Sequence, residues 1–266
     1  MTPKRILQTL TPPLLWNFGK ACKRRLFASV DYMAYAPRGW ATPLPGGVDR
    51  HAYWAMLIAR ERAVYQRFVA RVHRGEPLLE ENEEIKHAVF GYALALTARK
   101  EHVTVLDYGG NLGEYYWLGK ALVPGVTLEY HCKELPAVVQ SGREINPSIT
   151  WHSDDSCFDR SYDLVMFSAS MQYLPDWQEV LRRAAGSAGS YLLLSDVATV
   201  KDAASFVATS RSSGVTTLQI QLNRDDVVNT VERAGLRLMR ELPMGAHPPV
   251  ANAPEQPTCA GWLFQR

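Results

Sequence analysis

The sequence predicts an α/β protein with a doubly wound, seven-stranded and mostly parallel sheet that follows a mainly helical N-terminal region. From Val103 onward, short apolar runs alternate with helical patterns, which is typical of βαβ crossovers. Over residues 48–98, apolar residues instead recur at three- and four-residue spacing, the periodicity of amphipathic helices. The length of 266 residues suits one large domain, or one domain with a smaller cap.

Each predicted element rests on its own apolar pattern and on the turn residues that flank it. The predicted strands are Val103–Leu106, Val126–Tyr130, Ile149–Trp151, Leu164–Phe167, Tyr191–Leu194, Leu236–Leu242 and Gly261–Phe264. The predicted helices are Val48–Val72, Glu83–Ala98, Tyr115–Leu122, Ala137–Ile145, Trp177–Ala185 and Asp225–Ala234. Residues 243–258 contain five prolines, and we expect them to form an irregular loop over the edge of the sheet where the sixth strand ends.

Composition and charge exclude several classes of protein. Apolar residues make up 47% of the chain and charged residues 21%, which is ordinary for a globular protein and excludes disorder and fibrous repeats. The net charge of +2 is too small to indicate a chain-wide nucleic-acid-binding surface. No apolar stretch is long enough to span a membrane, and the N-terminus lacks the apolar core of a secretory signal. The four cysteines form no C-x-x-C pair, so we expect a reduced, cytoplasmic protein.

The strongest local signal is the segment V-T-V-L-D-Y-G-G-N-L-G, from Val103 to Gly113, in which a strand ends at Asp107 and a glycine-rich turn leads into a helix. In an open parallel sheet, this first turn at the carboxyl edge is where a nucleotide-like ligand binds. The spacing of Gly109, Gly110 and Gly113 does not match a dinucleotide fingerprint, and no Gly-Lys-Ser/Thr follows as in a phosphate-binding P-loop. A nicotinamide-dependent oxidoreductase is therefore disfavoured.

The pattern D-x-G-x-x-x-G resembles the first motif of class I S-adenosylmethionine-dependent methyltransferases, whose loop wraps the methionine part of the cofactor. The resemblance covers residues 103–264 and implies a Rossmann-like methyltransferase fold with S-adenosylmethionine as cofactor. It assigns cofactor contacts to Asp107, Gly109, Gly110 and Gly113, and to Asn111 in place of the usual middle glycine. Asn tolerates a positive φ better than other non-glycine residues, so this departure is mild.

The second predicted strand supplies an acidic partner for this loop. Glu134 follows the strand within E-L-P, a triplet that looks like the D/E-L-P of many O-methyltransferases, and by that resemblance it binds the ribose hydroxyls. A carboxylate at this place can accept two hydrogen bonds from a ribose. Glu129 is the competing acid, but it lies inside the strand, where its side chain points into packing or solvent.

The strands that follow bring further polar candidates to the same edge. In H-S-D-D-S, Asp154 and Asp155 are both candidates for the adenine amino group, and an Asx-turn or helix N-cap is the competing interpretation. The segment S-A-S-M-Q resembles the loop that follows the fourth strand in this family. By that resemblance Ser168 contacts the cofactor, and Gln172 contacts the cofactor or the substrate. We count Gln172 among the candidate catalytic residues.

Among the seven histidines, His247 is the candidate proton acceptor, because the predicted loop 243–258 lies over the active-site side. A solvated loop histidine is the alternative. No histidines form an H-x-H or H-x-x-x-H pair, so the sequence gives no support for a metal.

We therefore divide the chain into a basic arm and connection (1–47), a helical cap expected over the cofactor edge and acceptor pocket (48–100), and a methyltransferase catalytic domain (101–266). The G-W-A element, the D-Y-G-G-x-L-G loop and S-x-Q-Y-L together resemble a group of methyltransferases associated with surface-polysaccharide biosynthesis. That resemblance implies transfer of a methyl group, by O-methylation, to a small-molecule, sugar or lipid-linked saccharide acceptor. A non-catalytic binding or assembly protein on the same fold is the alternative.

The first thirty residues carry six basic residues and no acidic one, interleaved with Leu, Trp and Phe. Such a segment can dock on the chain's own acidic remainder, or it can hold the protein at an anionic membrane surface. Peripheral contact with the inner membrane face is the second expectation for this segment, and nucleic-acid binding is not expected.

Overall fold

The computed structural model describes residues 32–44, 50–76, 84–212 and 215–266. The helices are α1 (Arg50–His73), α2 (Glu84–Thr97), α3 (Glu114–Leu122), α4 (Pro136–Ile145), α5 (Trp177–Ser187) and α6 (Arg224–Arg233). The strands are β1 (Tyr32–Tyr35), β2 (His102–Tyr108), β3 (Thr127–Lys133), β4 (Thr150–His152), β5 (Tyr162–Ser168), β6 (Ala188–Val200), β7 (Phe206–Ser212), β8 (Val215–Asn223), β9 (Arg237–Gly245), β10 (Val250–Ala251) and β11 (Thr258–Gln265). Of the helices so described, none combines the length and the apolar character needed to cross a membrane.

The seven predicted strands are all present and form one mostly parallel sheet. Their order is β4-β3-β2-β5-β6-β11-β9, and only β11 runs against its neighbours. The reversal of strand order between β2 and β5 opens a crevice at the carboxyl edge, where ligands of such sheets bind. The predicted fold class is confirmed, and β9 and β11 form an antiparallel pair at one end of this order.

Apolar side chains alternate along the central strands, so each face of the sheet has its own core. Val103 and Val105 pack on the face that carries α2 and α3, whereas Leu106 packs on the face that carries α5 and α6. Each such buried side chain contributes about 1.5–3 kcal/mol. These two layers hold the carboxyl ends of β2, β3 and β5 in fixed positions beside one another.

Four strands that were not predicted extend the sheet at the carboxyl end of β6. The last residues of β6 pair with β8, and β8, β7, β1 and β10 follow in that order. β8 also packs on the 3-10 turn Met171–Tyr173, which follows β5. The residues 32–35, which we predicted as part of an arm and connection, are therefore a strand of the sheet.

The prediction of an irregular loop over residues 243–258 is wrong in part. β9 continues through Pro243 to Gly245, and β10 pairs with β1. Pro243 is tolerated because β9 is an edge strand that pairs only with β11, so its missing N–H breaks no second ladder. The carboxylate of Glu255 fixes the remaining turn by accepting the backbone N–H groups of Lys201, Asp202 and Ala203, at 2.9, 2.8 and 2.7 Å.

Candidate active site

The glycine loop joins β2 to α3 and has the backbone conformation that its sequence predicts. Asn111 and Gly113 adopt left-handed φ values of 51° and 80°. A side chain at Gly113 would collide with Ile149, so the loop lies directly on the neighbouring strand connection. The carboxamide of Asn111 donates to the Glu61 carboxylate of α1 over 3.3 Å, which ties α1 to the loop.

Asp107 lies beneath this loop and is fully buried. Its Oδ2 accepts a hydrogen bond of 2.8 Å from the Tyr130 hydroxyl, while its Oδ1 has no partner among the described residues. Burial raises the pKa of Asp107 to about 7, although the Tyr130 hydrogen bond acts in the opposite direction. The structure thus keeps an acid with an unused acceptor atom directly under the loop.

Glu134 follows β3 and faces the same loop from the side. Its two carboxylate oxygens accept the backbone N–H groups of Asn111, at 3.0 Å, and Leu135, at 2.8 Å. Burial raises its pKa, and these two hydrogen bonds partly offset that effect. Glu129, the competing acid, is part of a different network, in which hydrogen bonds from His131 and His102 lower its pKa to about 2.

A cavity of about 300 Å³ lies between the ends of β2, β3 and β5. Four of the predicted cofactor residues line it: Gly109, Asn111, Glu134 and Ser168. Apolar surface comes from Tyr108, Leu135 and Leu174, and Tyr173 and Lys133 also line the cavity. The cavity therefore offers one carboxylate and several backbone groups beside flat apolar surface, as expected of a nucleoside site.

Tyr108 forms the wall on the side of β3 and β4. Its ring stacks against Phe158, with centroids 5.4 Å apart, and Lys133 Nζ lies 4.4 Å from its centroid. The Tyr108 hydroxyl donates to Asp155 over 2.9 Å. Asp154 instead accepts the Ser156 N–H and begins a 3-10 turn, which is the competing interpretation that the sequence offered. Neither acid is among the described residues that line the cavity.

The segment after β5 forms the opposite wall. The Ser168 and Tyr115 hydroxyls are hydrogen-bonded at 2.9 Å, and the Ser170 hydroxyl donates to the Tyr108 carbonyl over 2.7 Å. Gln172 is buried, and its side-chain oxygen has no partner in the described part of the chain. It lies outside the described lining of the cavity, so the structure does not bring Gln172 to the predicted cofactor contacts.

His247 lies just beyond the end of β9 and is half-buried. Its Nδ1 forms a 2.7 Å hydrogen bond with the Pro248 carbonyl, and because a carbonyl only accepts, Nδ1 carries the proton. Burial lowers the pKa of His247, which keeps the imidazole neutral at neutral pH. His247 does not belong to the described lining of the cavity. Among all the residues that the structure describes, no group of His, Cys, Asp and Glu side chains is arranged to hold a metal ion.

The N-terminal helices lie on the face of the sheet that carries α3 and α4. α1 packs against both helices, and Trp117 Nε1 donates to the Tyr65 hydroxyl over 2.7 Å. α2 packs on β5 and β6, and Lys86 in its first turn reaches the carboxyl edge of the sheet. Sequence reasoning missed Tyr108 and Tyr115 in the site, although both lie within or directly after the glycine motif.

Comparison with solved structures places this architecture among the methyltransferases. An O-methyltransferase family protein from Burkholderia thailandensis superposes with a TM-score of 0.53 at 17% identity, over 82% of this chain and 63% of that protein. Human N-acetylserotonin methyltransferase, solved in complex with S-adenosylmethionine, superposes with a TM-score of 0.50 at 15% identity, over 83% of this chain and 60% of that protein. The chain thus spans less than two thirds of the length of either protein.

At these identities the likeness shows the fold, which is that of class I S-adenosylmethionine-dependent methyltransferases. No family model matches the chain, and no curated protein matches its sequence closely. The residues of the cavity fit such a cofactor. Glu134 offers a half-buried carboxylate for ribose hydroxyls, and apolar side chains line the cavity beside it.

Proposed function

We propose that this protein is an S-adenosylmethionine-dependent methyltransferase that methylates a hydroxyl group of a small-molecule, sugar or lipid-linked saccharide acceptor. The observation that carries the proposal is the carboxylate of Glu134, which lines the cavity while the glycine loop holds it in place. A bound S-adenosylmethionine supplies a methyl group that is electrophilic because it is attached to a sulfonium sulfur.

In this proposal, each group of residues around the cavity binds a different part of the cofactor. Glu134 accepts hydrogen bonds from the ribose hydroxyls, and Tyr108, which Asp155 holds through its hydroxyl, forms a flat wall for the adenine. Ser168 and the glycine loop contact the methionine part. Asp107 supports the loop from below, where a nearby cationic cofactor favours its ionised form.

The proposed catalytic residues are His247 and Gln172. A hydroxyl nucleophile reacts faster when a base of near-neutral pKa takes its proton. His247 suits this role because its proton lies on Nδ1, which leaves Nε2 as an acceptor. Gln172 is proposed with it because its buried amide oxygen, behind the segment that forms one wall of the cavity, has no partner among the described residues.

The saccharide class of acceptor rests on the sequence resemblance to methyltransferases of surface-polysaccharide biosynthesis. Residues 1–30, which we propose hold the enzyme at an anionic membrane beside a lipid-linked acceptor, lie outside the described residues. We therefore treat the lipid-linked saccharide as one arm of an acceptor screen, alongside free sugars and small phenols.

The screen measures release of S-adenosylhomocysteine from S-adenosylmethionine in the presence of each acceptor class. We expect turnover with a hydroxyl-bearing acceptor and none with the matched acceptor whose hydroxyl is already methylated. A protein that binds S-adenosylhomocysteine but turns over no acceptor would favour a binding or assembly role on the same fold. Binding of a nicotinamide cofactor instead would contradict the proposal.

A further inference from the structure

A carboxylate from the N-terminal helices reaches the glycine loop of the proposed cofactor cavity. Glu61 lies on α1, and its Oε2 accepts a hydrogen bond of 3.3 Å from Asn111 Nδ2. Asn111 lines the cavity, so the Glu61 carboxylate is one contact away from the space proposed for the cofactor. Glu61 belongs to none of the motifs from which the sequence predicts cofactor contacts.

The packing of α1 directs this carboxylate toward the loop. Ile58, Glu61 and Tyr65 follow one another at helical spacing and so lie on one face of α1. Ile58 and Tyr65 pack in the apolar cluster that contains Leu112, the residue that follows Asn111 in the loop. Glu61 is half-buried between these two contacts, which hold it against the loop.

Asn111 holds Glu61 from a backbone conformation that is unusual for a residue with a side chain. Its φ is 51°, in the left-handed region that favours glycine, the residue that it replaces in the motif. A glycine here would avoid the strain but would supply no donor for Glu61. Backbone strain of this kind occurs at ligand-binding sites, where the surrounding contacts maintain it. The Asn111 side chain thus gives the Glu61 carboxylate a fixed orientation beside the cavity.

The Glu61 carboxylate has no positively charged partner in the part of the chain that the structure describes. Its hydrogen bond comes from the neutral amide of Asn111, and the neighbouring Arg62 instead pairs with Glu144 on α4. Lys133 is the one basic residue in the described lining of the cavity, and it packs on an aromatic wall. A half-buried carboxylate in this situation favours a cationic ligand group, because a charge-assisted hydrogen bond offsets its loss of hydration.

We propose that Glu61, oriented by Asn111, binds the α-ammonium group at the methionine end of the cofactor, an inference that rests on the proposed function. An ammonium group only donates hydrogen bonds, so a carboxylate oxygen is its matching partner. Oε2 of Glu61 keeps the hydrogen bond from Asn111, and Oε1 accepts from the ammonium group. In this arrangement Glu134 serves the ribose and Asp107 supports the loop, so each carboxylate around the loop has a separate role.

The test is calorimetric titration of the full-length protein with two ligands. S-adenosylhomocysteine carries the α-ammonium group, and its deamino analogue keeps the carboxylate but lacks that group. Glu61→Gln removes the charge and keeps an amide oxygen that can accept the Asn111 hydrogen bond. We expect S-adenosylhomocysteine to bind this variant about tenfold more weakly than the wild type, and the deamino analogue to bind both proteins alike.

A second variant tests the part played by Asn111. Asn111→Gly suits the left-handed φ and removes the donor that orients Glu61. It should therefore weaken the binding of S-adenosylhomocysteine more than that of the deamino analogue. Equal weakening for the two ligands would show that Asn111 does not act through Glu61 and would contradict this part of the inference.

Glu144→Gln is the matched control, because it removes an equal charge from an exposed carboxylate that also contacts α1, through Arg62. It should bind both ligands as the wild type does. An equal loss of affinity for the two ligands in Glu61→Gln, or the same selective loss in Glu144→Gln, would overturn the inference. If the wild type binds neither ligand, the proposed function fails, whereas unchanged binding of S-adenosylhomocysteine by Glu61→Gln refutes only the role of Glu61.

Discussion

At the scale of single residues, the glycine loop is constrained by the strand residues packed beneath it as well as by the conformation of its own turn. A methyl group on Gly110 would lie 2.5 Å from Asp107 Cγ and 2.8 Å from Cys132 Sγ. Both atoms belong to buried strand residues that cannot move aside. The second glycine of the motif is therefore needed for packing against the acid that precedes it.

We predict that Gly110→Ala lowers the free energy of unfolding by about 1–3 kcal/mol, because overpacking at a closed site forces the backbone to shift. Urea denaturation measures this change. Gly186→Ala is the matched control, since Gly186 is exposed in α5 with no atom within reach of a new methyl group, and alanine favours the helix. Equal stability of the two variants would contradict the account of the loop.

The buried acid itself predicts a dependence of stability on pH. The folded-state pKa of Asp107, about 7, lies above the ordinary value of 3.8, so between these values the folded state holds a proton that the unfolded state has lost. The contribution to stability is therefore present at low pH and is lost as the pH rises through about 7, by up to about 1.4 kcal/mol per pH unit.

Asp107→Asn should remove this contribution, so the difference in unfolding free energy between pH 5 and pH 8 becomes smaller than in the wild type. Urea denaturation at both pH values is the measurement. The control Asp202→Asn removes an exposed carboxylate and should leave the difference unchanged. The prediction does not survive if Asp107→Asn shows the same pH dependence as the wild type.

At the scale of elements, the parts that could be predicted are those whose signal is local. The strand, glycine turn and helix between Val103 and Leu122 could be predicted from these twenty residues alone. An apolar run, a glycine-rich turn and a helical periodicity follow one another directly there. β8 was missed although Leu218, Ile220 and Leu222 alternate with polar residues, which is a period-two pattern. β1 carries no such signal, since its four residues are stabilised by β7, at a separation of about 175 residues.

The same distinction applies to the site. The place of Glu134 beside the glycine loop could be predicted from its position after a strand, whereas the hydrogen bond between Asp155 and Tyr108 could not, because it joins residues 47 positions apart.

The turn that follows β6 gives a prediction about a single element, because Glu255 holds it. Its carboxylate holds three backbone N–H groups of the turn after β6, and these hydrogen bonds lower its pKa. We predict that Glu255→Gln speeds amide hydrogen exchange at residues 201–203 roughly tenfold, since charge-assisted bonds are replaced by weaker ones. NMR-detected exchange is the measurement, and Glu101→Gln, an exposed change, is the control. Unchanged exchange at all three amides would show that the carboxylate does not hold the turn.

At the scale of the whole molecule, the basic residues 1–30 lead us to predict that the protein binds anionic membranes. If residues 1–30 contact an anionic membrane, the full chain should pellet with vesicles that contain anionic lipid, and a chain lacking these residues should not. Each cation near such a surface contributes up to about 1 kcal/mol, and salt should weaken the binding. Neutral vesicles are the control. Equal pelleting of the two chains, or none at low salt, would leave the segment with a role inside the protein.

The measurement that tests the central claim most directly is calorimetric titration of S-adenosylhomocysteine into the wild type, Glu134→Gln and Glu129→Gln. Both variants lose one negative charge from the same strand region, but only Glu134 lines the cavity. We predict that the wild type and Glu129→Gln bind alike, and that Glu134→Gln binds at least about tenfold more weakly, a loss of about 1.4 kcal/mol. No binding by the wild type, or equal binding by all three proteins, would contradict the account.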